Sequence, residues 1–257
     1  MRRSRVLEKL RAGKPIVCTK INLADPRAVD IAGIAGFDCV WLCNEHVPTD
    51  WRDIENQIRA AKVHNMDSLV RVSKGAYSDY IKPLEADAAG IMVPHIFTGD
   101  EAKNVVKMTR FMPLGRRPID GGNADGQYCT VPIKEYTEFA NRERFVIVQI
   151  EDPEPMEHLD EICSIEGIDV VFFGPGDFSH GIGRVGETNH PEVREARKRV
   201  VEACKRHGKW AGVPTGLDDI QQTIDEGFQF VSVGADVVAL ALYYQNITRR
   251  LSEMRIL

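Results

Sequence analysis

The chain has 257 residues, 43% of them hydrophobic and 28% charged, the balance of an ordinary folded protein. Its net charge of −5 speaks against a general affinity for nucleic acid or membrane surfaces, and no apolar run approaches the ~18 residues that span a bilayer. Six scattered cysteines with no C-x-x-C pair read as free thiols in a reducing, cytoplasmic setting.

In chain order, the basic start MRRSRVLEKLRAGKP lacks the apolar core of a signal peptide. Val6, Leu7 and Leu10 instead mark a short amphipathic helix. Strand and helix patterns then alternate: strand 16–19, helix 26–35, strand 37–42, helix 51–64, strand 68–72, helix 77–86, strand 90–94, helix 100–110. A long Gly/Pro-rich connection occupies 112–132, and an additional helix 133–142. Strand 145–150, a helical pattern through Met156, Leu159, Ile162 and Cys163, and strand 168–173 follow. Helix 191–207, strand 210–213, helix 217–226, strand 228–233 and an apolar helical tail from Val237 complete the chain.

Eight strands alternating with helices over 1–257 predict one (β/α)₈ TIM barrel with an extra C-terminal helix. A doubly wound open sheet is the alternative, but no G-x-G-x-x-G follows the first strand. Irregular segments as long as 112–132 are usually functional, so this one is expected to fold over or near the barrel mouth.

Side chains at the carboxyl ends of parallel strands face the usual ligand-binding end of such a sheet. Glu151 follows one apolar run and Asp177 the next, within the turn GPGD. Two hard carboxylates at a barrel mouth invite Mg²⁺ or Mn²⁺, with Co²⁺ also admissible. The competing reading makes Glu151 a surface residue and GPGD a plain turn. Gly174 and Gly176 would let backbone amides approach an anion closely. His46 ends the second strand, where a group titrating near neutrality suits proton transfer; a surface histidine is the alternative. Arg71 stands on an otherwise apolar strand and needs an anion, whether substrate or structural partner. Gln149 shares the face of Glu151. His95 also lies at a strand end, where it could line the pocket.

The run QIE at 149–151, followed by GPGD at 174–177 and Ser179, resembles the signature of the HpcH/HpaI aldolase family. These are metal-dependent, pyruvate-type class II aldolases, including 2,4-dihydroxyhept-2-ene-1,7-dioate and 2-keto-3-deoxy-sugar-acid aldolases. The run CNEH at 43–46 is similar to the family's D-x-E-H, with Cys43 where Asp is usual. Gly115-Arg116-Arg117-Pro118 departs from its G-x-R-G-x-G. That loop borders the aldehyde half of the pocket in family members, so Arg116 or Arg117 is a candidate for a distal carboxylate or phosphate.

The resemblance implies an aldehyde-lyase that cleaves a 4-hydroxy-2-oxo acid to pyruvate and an aldehyde through a metal-bound enolate. It implies His46 as acid–base residue, Arg71 as stabiliser of the enolate oxygen and Glu85 as the carboxylate of a dyad with His46. Gln149 and the amides at Gly176 and Asp177 would bind the oxo acid, and Glu151 and Asp177 the divalent cation. It also implies a homo-hexamer that exchanges the C-terminal helix between subunits. Two alternatives stand beside it: a citrate-lyase-type enzyme acting on a CoA thioester, and a non-catalytic barrel that binds an oxo acid.

Overall fold

The computed structural model describes residues 1–257. Short β-branched and aromatic runs form eight parallel strands that close into one barrel in sequential order, β1 to β8. The strands are β1 (Ile16–Ile21), β2 (Cys39–Cys43), β3 (Asp67–Arg71), β4 (Gly90–Val93), β5 (Phe145–Ile150), β6 (Val170–Phe173), β7 (Trp210–Thr215) and β8 (Phe230–Ala235). The outer helices are α2 (Pro26–Ala35), α3 (Trp51–Val63), α4 (Tyr77–Glu85), α5 (Gly99–Thr109), α6 (Ile133–Glu143), α7 (Leu159–Ser164), α9 (Pro191–His207) and α10 (Ile220–Glu226). Three more stand apart: α1 (Arg5–Arg11), α8 (Pro175–Gly181) and α11 (Asp236–Glu253). No helix is long and apolar enough to cross a membrane.

The helices begin where the sequence offers an acceptor for first-turn amides. Asp25 receives Arg27 N, Asp50 receives Asp53 N and Thr98 receives Glu101 N. Several end at a left-handed glycine, among them Gly36, Gly208 and Gly227.

Two apolar layers hold the barrel. The larger lies between the strands and the helix ring, with Val40, Leu42, Val148, Phe173 and Val213 facing Ile58, Val105, Ile162 and Val200. The smaller fills the barrel itself around Trp41, Phe145, Phe172 and Phe230. Their rings meet edge to face or tilted, with Trp41–Phe172 centroids 5.5 Å apart and Phe172–Phe230 6.1 Å apart. Gly212 leaves the room this needs, since a Cβ there would stand 2.6 Å from the Phe172 ring.

Helix α1 plugs the amino end of the barrel. Val6, Leu7 and Leu10 join the interior cluster, and the buried Asp67 at the start of β3 fixes the helix start. Its carboxylate accepts from Ser4 Oγ at 2.6 Å and Val6 N at 2.9 Å, and also pairs with Arg2. The opposite, carboxyl end is therefore the open one.

One sequence expectation changes here, and one competing reading falls. Residues 112–132 follow α5 rather than a strand, so they begin at the amino end of the barrel and lie away from this chain's own mouth. They are pinned there by buried Arg117, whose Nη2 meets Asp125 Oδ2 at 2.7 Å, and by Asp125 N donating to Glu85 O at 3.2 Å. Arg117 is thus committed to an internal ion pair. The GPGD stretch is not a plain turn: Gly174 precedes α8, and Asp177 sits in that helix's first turn.

Asp67→Ala is expected to lower stability by about 3 kcal/mol, because it strands a buried helix start and an arginine together. Urea unfolding measures this. A loss below about 0.5 kcal/mol would show that apolar contacts alone seat α1.

Candidate active site

The site is assembled from strand ends. β3 delivers Arg71, which is 4% exposed, beside Cys43 at the end of β2. Arg71 Nη2 donates to Cys43 Sγ at 3.2 Å, and its guanidinium carbon stands 4.6 Å from the Trp41 ring centroid. Arg71 Nε lies 2.8 Å from Glu45 Oε2, close enough for an ion pair but not aligned as a hydrogen bond. The arginine is thus gripped by a thiol, a carboxylate and an indole. Burial raises the Cys43 pKa, but Arg71 and the backbone amides of His46 and Glu45 outweigh it, so the thiol titrates below its ordinary value.

β5 delivers Gln149 and, one residue beyond its end, Glu151. Both face the mouth because side chains alternate along the strand. Glu151 is only 1% exposed. Gln149 Nε2 donates to its Oε2, and His95 N donates to its Oε1 at 3.0 Å. Burial pushes the Glu151 carboxyl up to about 7, with nearby Asp177 adding to the rise and His95 and Arg71 opposing it. Gln149 Oε1 is buried without a partner. Gly174 makes this corner possible: a Cβ there would lie 2.6 Å from Glu151 Cβ and 2.7 Å from its Oε2. Asp177 is exposed, and the amides of Gly176 and Asp177 lie in the first turn of α8, where no intrahelical acceptor exists. Ser179 is structural. Its hydroxyl donates to Gly176 O at 2.7 Å and accepts from Gly186 N at 3.1 Å, tying α8 to the next turn.

The loop after β4 closes over this corner. His95 has φ = 50°, a left-handed conformation rare for a side-chain-bearing residue, and it turns both amide and ring toward carboxylates. His95 Nδ1 lies 2.8 Å from Asp152 Oδ2, while Nε2 lies 3.7 Å from Glu151 Oε1 and 3.8 Å from Glu45 Oε1. Burial disfavours its charged form, but Asp152, Glu151 and Glu45 outweigh that, and its pKa is raised. His95 is therefore as central as any residue foreseen. The signal was its place just past β4, and Asp152 directly after Glu151 completes the pair.

The chain brings together Arg71, Gln149, Glu151, Gly176 and Asp177 around one mouth, with His46 at the exposed rim, 3.6 Å from Glu45 Oε2. It does not bring Glu85 there. Helix α4 runs away from the mouth, and Glu85 ends it at the opposite side of the barrel. Burial raises its pKa, and Arg117 partly opposes this. No cluster of three or more His, Cys, Asp and Glu side chains forms a metal cage; the two carboxylates offer only part of a coordination shell.

Fold and mouth together define a parallel α/β barrel whose open end carries a buried acid, a fixed guanidinium and imidazoles at its rim. The chain belongs to the HpcH/HpaI aldolase/citrate lyase family, whose model matches residues 21–241. It is 32% identical over 235 residues to a hydroxypyruvate/pyruvate aldolase of Roseobacter denitrificans, covering 91% of each chain. It is 30% identical over 232 residues to a 5-keto-4-deoxy-D-glucarate aldolase of Klebsiella pneumoniae, covering 90% of this chain and 88% of that one. The HpcH/HpaI aldolase structure from Desulfitobacterium hafniense superposes with a TM-score of 0.91 at 30% identity, covering 96% of both chains. The citrate synthase SbnG superposes with a TM-score of 0.86 at 26% identity, again covering 96% of both. These relatives support a lyase of the aldolase type.

The raised Glu151 pKa has a consequence for stability. The fold disfavours the ionised carboxylate, so the protein loses stability as pH rises from about 4.5 through about 7. Glu151→Gln removes that penalty. In the presence of EDTA the variant should be more stable than the parent at pH 8 by about 1–3 kcal/mol, and equal to it below pH 4.5. Urea titrations at the two pH values measure the difference; a variant no more stable at pH 8 would contradict it.

Proposed function

We propose that this chain is a divalent-cation-dependent aldolase that cleaves a 4-hydroxy-2-oxo acid to pyruvate and an aldehyde. One observation carries the reading: a buried carboxylate, Glu151, close to Asp177 and opposite a fixed arginine, at a mouth whose rim holds His46.

The residues fit a cation. Glu151 is a desolvated carboxylate further disfavoured by a second acid, and a positive ion offsets both effects. Hard oxygen donors suit Mg²⁺ or Mn²⁺, and two protein carboxylates leave positions for water and substrate. Glu151 and Asp177 would hold the ion, which when bound acts as a Lewis acid toward the oxo acid.

The remaining work falls to the chain's own groups. The first-turn amides at Gly176 and Asp177 donate to the substrate carboxylate. Gln149, whose Nε2 donates to Glu151 and whose Oε1 is buried without a partner, would contribute its amide to oxo-acid binding at the same corner. His46 takes the proton of the 4-hydroxyl, the C3–C4 bond breaks and the aldehyde leaves. The electron pair moves onto the C2 oxygen, where Arg71 stabilises the developing charge; C3 is then protonated to give pyruvate. Within the chain, Glu45 is the carboxylate beside His46. If Glu85 forms a dyad with His46, it does so from a second copy.

Assembly belongs to the same reading. Helix α11 buries none of its residues; Leu242, Tyr243 and Tyr244 on it, and Met254 just past its end, are each about 60% exposed. An apolar helix left in water favours association with further copies, a hexamer being the family pattern.

Pyruvate release from 4-hydroxy-2-oxo acids should require added Mg²⁺ or Mn²⁺ and vanish with EDTA. His46→Ala should lose about 10²–10⁴-fold in that cleavage, the usual worth of one acid–base group. Decarboxylation of oxaloacetate, which needs no proton taken from a 4-hydroxyl, should largely survive. Equal loss of both reactions would show that His46 maintains the site rather than moving protons, and full activity in EDTA would refute the cation.

Solution scattering at micromolar concentration should give a particle several times larger than the 28.8 kDa chain, and Leu242→Glu should reduce it. A monomeric parent would overturn assembly through α11.

A further inference from the structure

We propose that Lys20 selects substrates whose end distal to the oxo acid carries a carboxylate. This deepens the aldolase reading and rests on it.

The eight strands carry only two basic residues, Lys20 and Arg71. Each stands near the carboxyl end of its strand in an inward-facing row. Lys20 pairs in register with Trp41, and Arg71 with Cys43. Both stack on one indole: Lys20 Nζ is 5.3 Å and Arg71 Cζ 4.6 Å from the Trp41 ring centroid. They differ in what else holds them. Arg71 is gripped by Glu45 and Cys43. Lys20 is half-buried and makes no ion pair or side-chain hydrogen bond in the chain.

Position gives that unpaired ammonium its meaning. In the closed order β1 to β8, β1 lies directly across the barrel from β5. A substrate with its oxo-acid end at Glu151 and Asp177 spans the mouth, passing His46 in the loop after β2, and its far end approaches β1. Glu151, Asp152 and Asp177 make the β5 side of the mouth acidic, and the other strand-borne cation, Arg71, is already paired with Glu45. Lys20 supplies the opposing charge at the one place such an end arrives. A single free ammonium suits a monoanionic carboxylate better than a phosphate, which collects several donors, and Arg71 on the same indole is already held by Glu45 and Cys43. Arg116 and Arg117 lie with the 112–132 segment at the other end of the barrel and cannot take this role within the chain.

A structural role would be simpler: the methylenes of Lys20 cover Trp41 while the ammonium reaches water. Lys20→Met separates the two, because it keeps the apolar stem on the indole and removes only the charge. The Mg²⁺-loaded enzyme is assayed in the condensation direction with pyruvate and either succinic semialdehyde or its neutral amide. The parent should prefer the semialdehyde. Lys20→Met should lower the ratio of the two kcat/KM values about tenfold or more, chiefly through KM for the anion, and Lys20→Arg should largely keep it. Equal losses on both aldehydes, or an unchanged ratio, would overturn the proposal. So would a covalent adduct at Lys20 after borohydride treatment with pyruvate, which would make the lysine a reacting group. Binding of 2-oxoglutarate against 2-oxopentanoate, measured by calorimetry, keeps the two readings distinguishable. A dianion preference lost in Lys20→Met upholds the anion site even where no aldehyde condenses. Condensation without discrimination upholds the aldolase and refutes Lys20.

Discussion

A carboxylate withheld from water is the constraint on which the mouth of this barrel depends. Glu151 sits at the top of β5 with almost no exposed surface. Burying an ionised acid is costly unless hydrogen bonds and opposite charge compensate. The chain offers partial compensation from Gln149, the His95 amide and the fields of His95 and Arg71, while Asp177 works against it. Gly174 leaves the space, since any β-carbon there would collide with Glu151 itself. The left-handed backbone of His95 is the local strain that brings an amide onto the acid. A divalent ion of the kind proposed would supply opposite charge at this corner.

The barrel was legible because its signals are local. Apolar runs end in polar residues at one edge, and the βαβ connection fixes that edge as a single face. Counting to the strand tops located Arg71, Gln149 and Glu151 without any contact being visible. What escaped depended on direction or on distant pairing. The 112–132 segment was assigned to the mouth by length, yet it follows a helix, and a helix after a parallel strand returns the chain to the opposite end. Glu85 lies on that same far side for the same reason. The His95–Asp152 pair joins residues from two different loops, and no periodicity announces such a contact. Helix α8 was hidden because a seven-residue helix opening with Pro-Gly-Asp looks like a turn.

The departure at position 43 is resolved by what surrounds it. An aspartate at the end of β2 would meet Arg71 as a full ion pair. Cys43 offers instead a buried thiol 3.2 Å from Nη2, with its pKa lowered by the guanidinium and two backbone amides despite the cost of burial. The thiol is a softer and weaker acceptor, so less of the charge of Arg71 is neutralised from that side. Glu45 takes up the pairing at Nε, and Trp41 backs the guanidinium. The same indole also carries Lys20. Exchanging a carboxylate for a thiol therefore leaves the β1–β3 sector of the mouth with more positive character, facing the acids of β5 and α8 across the opening. That polarity, negative on one side and positive on the other, is what the proposed orientation requires, with the oxo acid on the acidic side and an anionic end toward Lys20.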